Sequence, residues 1–377
     1  MYGQMISDNI RTDAYARALK RIVKRTSVVV DIGAGTGILS LLAAQLGARK
    51  IYAIEPSDVI YLGREIAAEN GYENRIEFIQ EMSTRVTLPE QVDIIVSDMN
   101  GVLPLFEQHL PSLIDAQRRL LAPGGTIIPW QATLWMALVE APKLFRRHTI
   151  PWETNRYGLD MRAVLRCTTN TWRKGQVKLE QLLTEPKRWA TLDYRGLDNP
   201  NVSGDIKSTI RKAGTGHGII VWFDSELFDG VCFSNAPDAP ELIYGSAFFP
   251  WPASVACDIG DTVSIALRAN LVGDDYIWSW DTCVRNQGNP GHVKASFKQS
   301  TFLADPLSLT ILHKRASDHK PILNDHGRIE QRILQLMNGQ NSLEEIAKQV
   351  AGQFSGRFVT WYEAMNHVSD VSEKYSR

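Results

Sequence analysis

Several things are scarce in this 377-residue chain, and each absence narrows what it is. Cysteine comes first: Cys167, Cys232, Cys257 and Cys283 lie far apart and form no CxxC pair. That argues against a thiolate metal site or a disulfide framework and favours a reducing, cytoplasmic setting. Charge of one sign is lacking too, with 41 Lys plus Arg against 42 Asp plus Glu. No overall field draws nucleic acid or an anionic membrane, so neither is an expected partner. No apolar run reaches the roughly 18 residues of a membrane span. Residues 1–20 scatter charges and have no apolar signal core. Repeats and low-complexity tracts are missing. What remains, 44% hydrophobic and 22% charged residues in 42.3 kDa, is a globular composition with length for two or three domains.

Hydrophobic patterning divides the chain into three zones, 1–130, 131–312 and 318–377. The first alternates apolar runs at 27–32, 50–55, 75–80, 92–97 and 125–129 with helix-like segments at 37–46, 57–70 and 110–121. This reads as an α/β domain with a parallel sheet, its last crossover punctuated by Gly124-Gly125. The second zone carries short runs at 132–139, 163–167, 218–223, 262–269 and 276–280, parted by turn-rich stretches, which predicts an antiparallel β-barrel or sandwich. The third reads as three short helices. Residues 324–327 form a turn, Asn341 or Ser342 caps the helix starting at Leu343, and a last helix spans about 360–373.

Chemistry concentrates first at Asp31-Ile32-Gly33-Ala34-Gly35-Thr36-Gly37, where a β-branched run ends in an acid, glycines and a helix. Gly33 and Gly35 let the chain turn sharply and let a ligand approach the backbone. Dinucleotide enzymes also use glycine-rich turns, but the spacing here is GxGxG rather than GxGxxG. Glu55 closes the second strand where a ribose diol would be bound.

This motif with Glu55 resembles the class I S-adenosylmethionine (SAM) methyltransferases. Further segments resemble the protein arginine methyltransferases: Met5-Ile6-Ser7-Asp8 through Arg11-Thr12 to Tyr15, Gly47-Ala48-Arg49-Lys50, and Leu121-Ala122-Pro123-Gly124-Gly125 followed by Ile128-Pro129. Tyr157-Gly158-Leu159-Asp160-Met161 resembles the family's dimerisation arm, here placed at about 147–172. The likeness covers roughly residues 2–300. It implies a Rossmann-like domain, then a β-barrel, a homodimer, SAM as cofactor and no metal. It also implies that Arg11 holds the cofactor carboxylate by a guanidinium fork. Asp31, Gly33 and Gly35 would hold its methionine part, Glu55 the ribose, and Met82, Ser83 and Thr84 the adenine. Met5 would sit near the reactive methyl.

In the family, two glutamates nine residues apart clamp the target guanidinium. Asp98 and Glu107 stand at that spacing after the fourth strand. A guanidinium is a cation and a poor nucleophile; paired carboxylates orient it and hold its charge while one nitrogen faces the methyl. Three departures qualify the likeness. Asp98 is one methylene short, a setback of about 1.5 Å in a site tuned to about 0.5 Å. The family's Thr-His-Trp loop is matched best by Leu242-Ile243-Tyr244 and less well by residues 295–299, neither with a histidine. Little chain precedes Met5, so the expectation is that another segment covers the cofactor or that its pocket is more open. His109 reads equally as a proton acceptor or a surface histidine. Trp222, Trp278 and Trp280 read as core packing rather than as a cleft lining, to which Asp224 and Asp281 are further candidates.

Residues 321–347 resemble the small winged-helix fold of PqqD-like proteins, with structural support the stronger expectation and peptide recognition the other. The expected function is SAM-dependent methyl transfer to a guanidinium or related nitrogen of a peptide, protein or small molecule. The alternatives are transfer to an N or O acceptor of a natural-product intermediate, and a degenerate module that binds cofactor or peptide without turnover.

Overall fold

The central apolar runs of the first zone, at 28–32, 50–54 and 92–97, are strands largely buried on both faces, as a helix-covered parallel sheet requires. In the computed structural model, which describes residues 2–154, 157–289 and 291–376, α1 (Tyr2–Ser7) and α2 (Asn9–Ile22) come first. The chain continues through β1 (Val28–Ile32), α3 (Ile38–Gln45), β2 (Lys50–Ile54), α4 (Val59–Glu69), β3 (Ile76–Ile79), β4 (Val92–Ser97), α5 (His109–Arg119) and β5 (Leu121–Ile128). All five residues of β1 are buried. The parallel sheet runs β3-β2-β1-β4-β5, so strand order reverses between β1 and β4, where open sheets of this kind bind ligands beyond their carboxyl ends. Gly124-Gly125 lies inside β5, where the register with β4 shifts, and not in the crossover before it.

The second zone is a β-sandwich. It comprises β6 (Gln131–Val139), α6 (Pro142–Glu153), α7 (Leu165–Thr169), β7 (Arg173–Gly175), β8 (Lys187–Asp193), β9 (Val202–Thr209), β10 (Gly214–Phe228), β11 (Val231–Ser234), β12 (Ser246–Cys257), β13 (Thr262–Val272), β14 (Asp275–Arg285) and β15 (Val293–Ser300). One sheet runs β7-β12-β10-β6-β8 with β11 beside β10; the other runs β15-β14-β13-β9. Trp222, Trp278 and Trp280 are buried in it. Residues 163–167, read above as a strand, are helical. Only Val164 among them is β-branched, and Ala163, Leu165 and Arg166 favour helix. Strand β12 carries Pro250 and Pro252, which is tolerated because β7 pairs only with Ser246–Phe248, leaving those positions no ladder donor to lose on that side.

The chain divides into two compact units, 1–306 and 307–377. The second holds α8 (Leu309–Arg315), α9 (Asp325–Leu336), α10 (Leu343–Gln353) and α11 (Trp361–Tyr375). Ile329, Ile333, Ile346, Val350 and Val368 form its core. Asn324, read as opening a turn, is the N-cap of α9, its side chain accepting from Gly327 N at 2.8 Å. Ser342 caps α10 in a reciprocal box with Glu345. Among the described residues of this unit there is no strand, so the hairpin of a winged helix is not found in it. No helix of the described chain is long and apolar enough to cross a membrane.

Glycine is structurally required at position 218, where β10 meets β12 at a register shift: a Cβ would lie 2.2 Å from the Phe249 carbonyl oxygen. Gly218→Ala is therefore expected to destabilise the chain by about 2–4 kcal/mol, measured as a lowered midpoint in urea unfolding.

Candidate active site

The glycine loop is laced to the end of β2. Gly33 and Ala34 N–H groups donate to the Ile54 carbonyl at 2.9 and 3.1 Å. One oxygen of Glu55 accepts from Gly35 N at 3.0 Å, and the other from Ser57 N and Oγ at 3.0 and 2.6 Å. Gly33 and Gly35 take φ of +73° and +55°, a region costly for side-chain-bearing residues. Asp31 is buried and accepts from Ser40 N and Oγ at 3.0 and 2.7 Å. Burial raises its pKa to about 6, opposed by the Ser40 bonds and reinforced by Glu55. The loop is covered from above. A Cβ on Gly35 would lie 2.8 Å from the Tyr2 ring of α1, and one on Gly33 2.5 Å from Met99.

Beside this loop Arg11, 1% exposed, forms an ion pair with Asp98 just beyond β4. Arg11 Nη2 also donates to the Met5 carbonyl at 2.7 Å and to Thr12 Oγ1 at 3.3 Å. Asp98 Oδ1 accepts from the Tyr244 hydroxyl at 2.5 Å and from Asn100 Nδ2 at 3.0 Å. The Tyr15 hydroxyl lies 3.3 Å from the same oxygen and donates to the Ser97 carbonyl at 2.9 Å. Burial pushes the Tyr15 and Tyr244 phenols up, which keeps both as donors. Asp8, the N-cap of α2, accepts from Ile243 N at 2.9 Å, so the loop before β12 is tied to the N-terminal helices.

Met5, Arg11, Asp31, Gly33, Gly35 and Asp98 line one small cavity of about 40 Å³. Glu55 reaches it through its bond to Gly35 and is not itself part of the lining. Met82, Ser83 and Thr84 follow β3 outside that lining, Ser83–Arg85 forming a short 3-10 turn. Arg119 pins the turn by donating to the carbonyls of Ser83 and Val86 at 2.9 and 2.8 Å. Glu107 is exposed, takes φ +42°, and makes no hydrogen bond or ion pair among the described residues. The two expected acids thus differ sharply: Asp98 is enclosed and its charge matched, whereas Glu107 faces solvent. His109 is not at the surface but buried, its ring 5.9 Å from that of Tyr194. Asp224 accepts from Trp135 Nε1 at 2.7 Å. Tyr15 and Asn100 complete the Asp98 environment; for Asn100 the available signal was its place two residues after an acid in a loop.

The chain matches the family model for ribosomal protein L11 methyltransferase over residues 11–129 and that for the arginine methyltransferase oligomerization subdomain over 130–281. It is 33% identical over 255 residues to "Probable protein arginine N-methyltransferase 6" of Arabidopsis thaliana, which covers 65% of this chain and 58% of that protein. Over 317 residues it is 32% identical to protein arginine N-methyltransferase 6 of Xenopus laevis, covering 80% of this chain and 88% of the relative. Among solved structures, the Trypanosoma brucei PRMT1 enzyme–prozyme heterotetrameric complex with AdoHcy superposes with a TM-score of 0.71 at 22% identity, covering 79% of this chain and 96% of that one. The uniquely open conformation of Arabidopsis thaliana protein arginine methyltransferase 10 gives 0.70 at 23% identity, with the same coverage of each chain. At those identities the superpositions establish the fold: a Rossmann-like parallel-sheet domain followed by an antiparallel sandwich.

Burial lowers the pKa of His109 to about 4. The folded chain keeps it neutral while the unfolded chain protonates it near its ordinary 6.5. Between those values the unfolded state binds the extra proton, so this group makes stability rise with pH from about 4 to about 6.5, by up to about 3 kcal/mol. Asp31 has the opposite sign: its folded pKa of about 6 lies above the unfolded 3.8, so its contribution falls as pH rises across that window. The two separate in the difference between wild type and His109→Gln. Urea unfolding is expected to show wild type gaining more stability than the variant between about pH 4.5 and pH 6.5.

Proposed function

The chain belongs to the protein arginine N-methyltransferase family, and on that footing we propose that it transfers a methyl group from SAM to an arginine guanidinium of a protein or peptide. The observation that carries this is the gathering of Arg11, Asp31, the glycine backbone and Asp98 on one cavity beyond the carboxyl ends of β1 and β4. The residues fit the cofactor in kind. Gly33 and Gly35 offer backbone that a Cβ would obstruct, Asp31 offers a desolvated acid, and Arg11 Nε is buried with no hydrogen-bond partner among the described residues. Arg11 is assigned to the cofactor carboxylate, Asp31 to its ammonium, Glu55 to the ribose hydroxyls, Met82–Thr84 to the adenine and Met5 to the neighbourhood of the methyl. Bound there, SAM supplies an electrophilic methyl on a sulfonium. The cavity is far smaller than the roughly 300 Å³ of an ordinary ligand site, so Tyr2 and the Met99 side chain are the groups that must withdraw to admit it. This gives α1 the role of cover over the glycine loop.

For the acceptor, Glu107 is the carboxylate with charge to spare. It orients the incoming guanidinium and holds its positive charge, so that one nitrogen keeps its lone pair directed at the methyl. Asp98 shares Arg11 between two duties. With Arg11 turned to the cofactor, Asp98 retains Tyr244 and Asn100 as donors and its negative charge becomes available to the acceptor. The shorter acid and Tyr244 in place of the family's tryptophan favour a second reading, a smaller nitrogen acceptor than a protein arginine. Support for a homodimer comes from the oligomerization-subdomain match and from exposed Ile150, Tyr157, Leu159 and Met161 in the expected arm, of which residues 155 and 156 lie outside the described residues.

Glu107→Gln is expected to lower turnover with an arginine-rich peptide by about 100-fold or more, while calorimetry with S-adenosylhomocysteine finds affinity near wild type. Arg11→Lys is expected to weaken that affinity about tenfold or more, the fork being lost. Wild-type turnover in Glu107→Gln removes the acceptor assignment. Transfer of labelled methyl to small amines but not to peptide selects the second reading.

A further inference from the structure

The C-terminal unit holds a side-chain cluster that methyl transfer does not use. His326 and Glu330 stand one turn apart on α9 and therefore share a face. His367 meets them from α11, its ring centroid 4.8 Å from that of His326 at 41° between planes. Ligand-type atoms of the three residues all lie within 4.8 Å of one another. Within the cluster, His326 Nε2 stands 3.6 Å from Glu330 Oε1. That is too long for a good hydrogen bond. It is close to the roughly 3.3–3.5 Å between two ligands on a tetrahedral ion with bonds of about 2.0–2.2 Å.

A second observation separates this from a chance surface pairing. His367 Nε2 is cut off from solvent and has no hydrogen-bond partner among the described residues. A shielded ring nitrogen without a partner is costly and needs an explanation. An ion pair within α9 would account for His326 and Glu330 but would leave His367 Nε2 alone. A divalent cation accounts for all three.

We propose that His326, Glu330 and His367 form a site for a divalent transition metal, with zinc(II) the best fit, that clamps α11 to α9. Two imidazoles and one carboxylate suit zinc and its neighbours and not magnesium or calcium, which prefer all-oxygen shells. Three protein ligands would leave a fourth position for water, and His326, 63% exposed, keeps the cluster open to solvent. Glu330 halves the ionic charge, although Lys374 lies within electrostatic range of it and competes for it. The clamp acts on a small unit whose core rests on a few residues around Ile333 and Val368, so an ion bound only by the folded state raises its stability by mass action.

The test uses the full, untagged chain freed of metal with a chelator and titrated with cobalt(II) chloride. The expected result is one equivalent bound with a Kd in the micromolar range or below. It should carry the visible absorption of four- or five-coordinate cobalt, which zinc(II) chloride bleaches. His367→Gln and the exposed His326→Gln should each weaken binding at least tenfold and remove the zinc-dependent rise in melting temperature. His326→Gln covers the case in which the position-367 variant fails to fold. Equal binding by wild type and His326→Gln, or no binding below about 100 µM, overturns the proposal.

Discussion

The candidate site is organised around one buried ion pair, Arg11 with Asp98. Taking two charges out of water is expensive, and their attraction offsets this only when the remaining donors and acceptors are also satisfied. Here they largely are. Asp98 receives the Tyr244 and Asn100 donors, and Arg11 reaches the Met5 carbonyl and Thr12. Those partners come from the N-terminal helices, the loop after β4 and the loop before β12. The pair therefore does more than hold Arg11 in place: it makes the cleft depend on the parallel-sheet part and the sandwich being packed together. Loss of either charge alone would strand the other in a low-dielectric pocket, a situation that costs about 3–5 kcal/mol in comparable buried pairs.

The glycine loop carries the complementary constraint. Asp31 and Glu55 are both buried acids, and Asp31 is raised first by burial and then by the proximity of Glu55. Two acids flanking the glycine loop from β1 and from the end of β2, with its backbone N–H groups already committed to Ile54 and Glu55, make a poor cradle for a phosphate and a better one for a ligand bearing positive charge. This is where the chemistry parts from a dinucleotide site, in which free amides face a pyrophosphate. Local spacing hinted at that difference, and the hydrogen bonds give it a physical cause.

What could be read from the sequence was what local pattern encodes. The five strands of the parallel sheet follow from short apolar runs, and the capped helix at Leu343 follows from Ser342 and Glu345. The family likeness was legible for the same reason, since its motifs are contiguous. Pairings across long stretches of chain were not. Tyr244 meets Asp98 across 146 residues, and no spacing rule announces that a phenol will reach that acid. Strand β12 hid behind its prolines, and residues 163–167 misled because a short apolar run does not distinguish helix from strand. The nine-residue spacing of Asp98 and Glu107 was visible, but not that one would be enclosed and the other open.

That asymmetry follows from how the intervening loop is built. Leu103 and Leu105 are buried, anchoring the middle of the loop to the core. Gly101 turns at φ +58° directly against the Phe106 ring, where any Cβ would come within 3.0 Å of it. The chain then has to reverse before α5, whose first residue, His109, is itself buried. Glu107 absorbs the reversal at φ +42°, a conformation that costs a residue with a side chain about 1–2 kcal/mol. Asparagine or glycine would relieve that strain, so a glutamate here is not explained by backbone preference. The anchors on either side hold it there, exposed and without a partner among the described residues. The loop thus accepts backbone strain at a residue whose carboxylate no described residue neutralises.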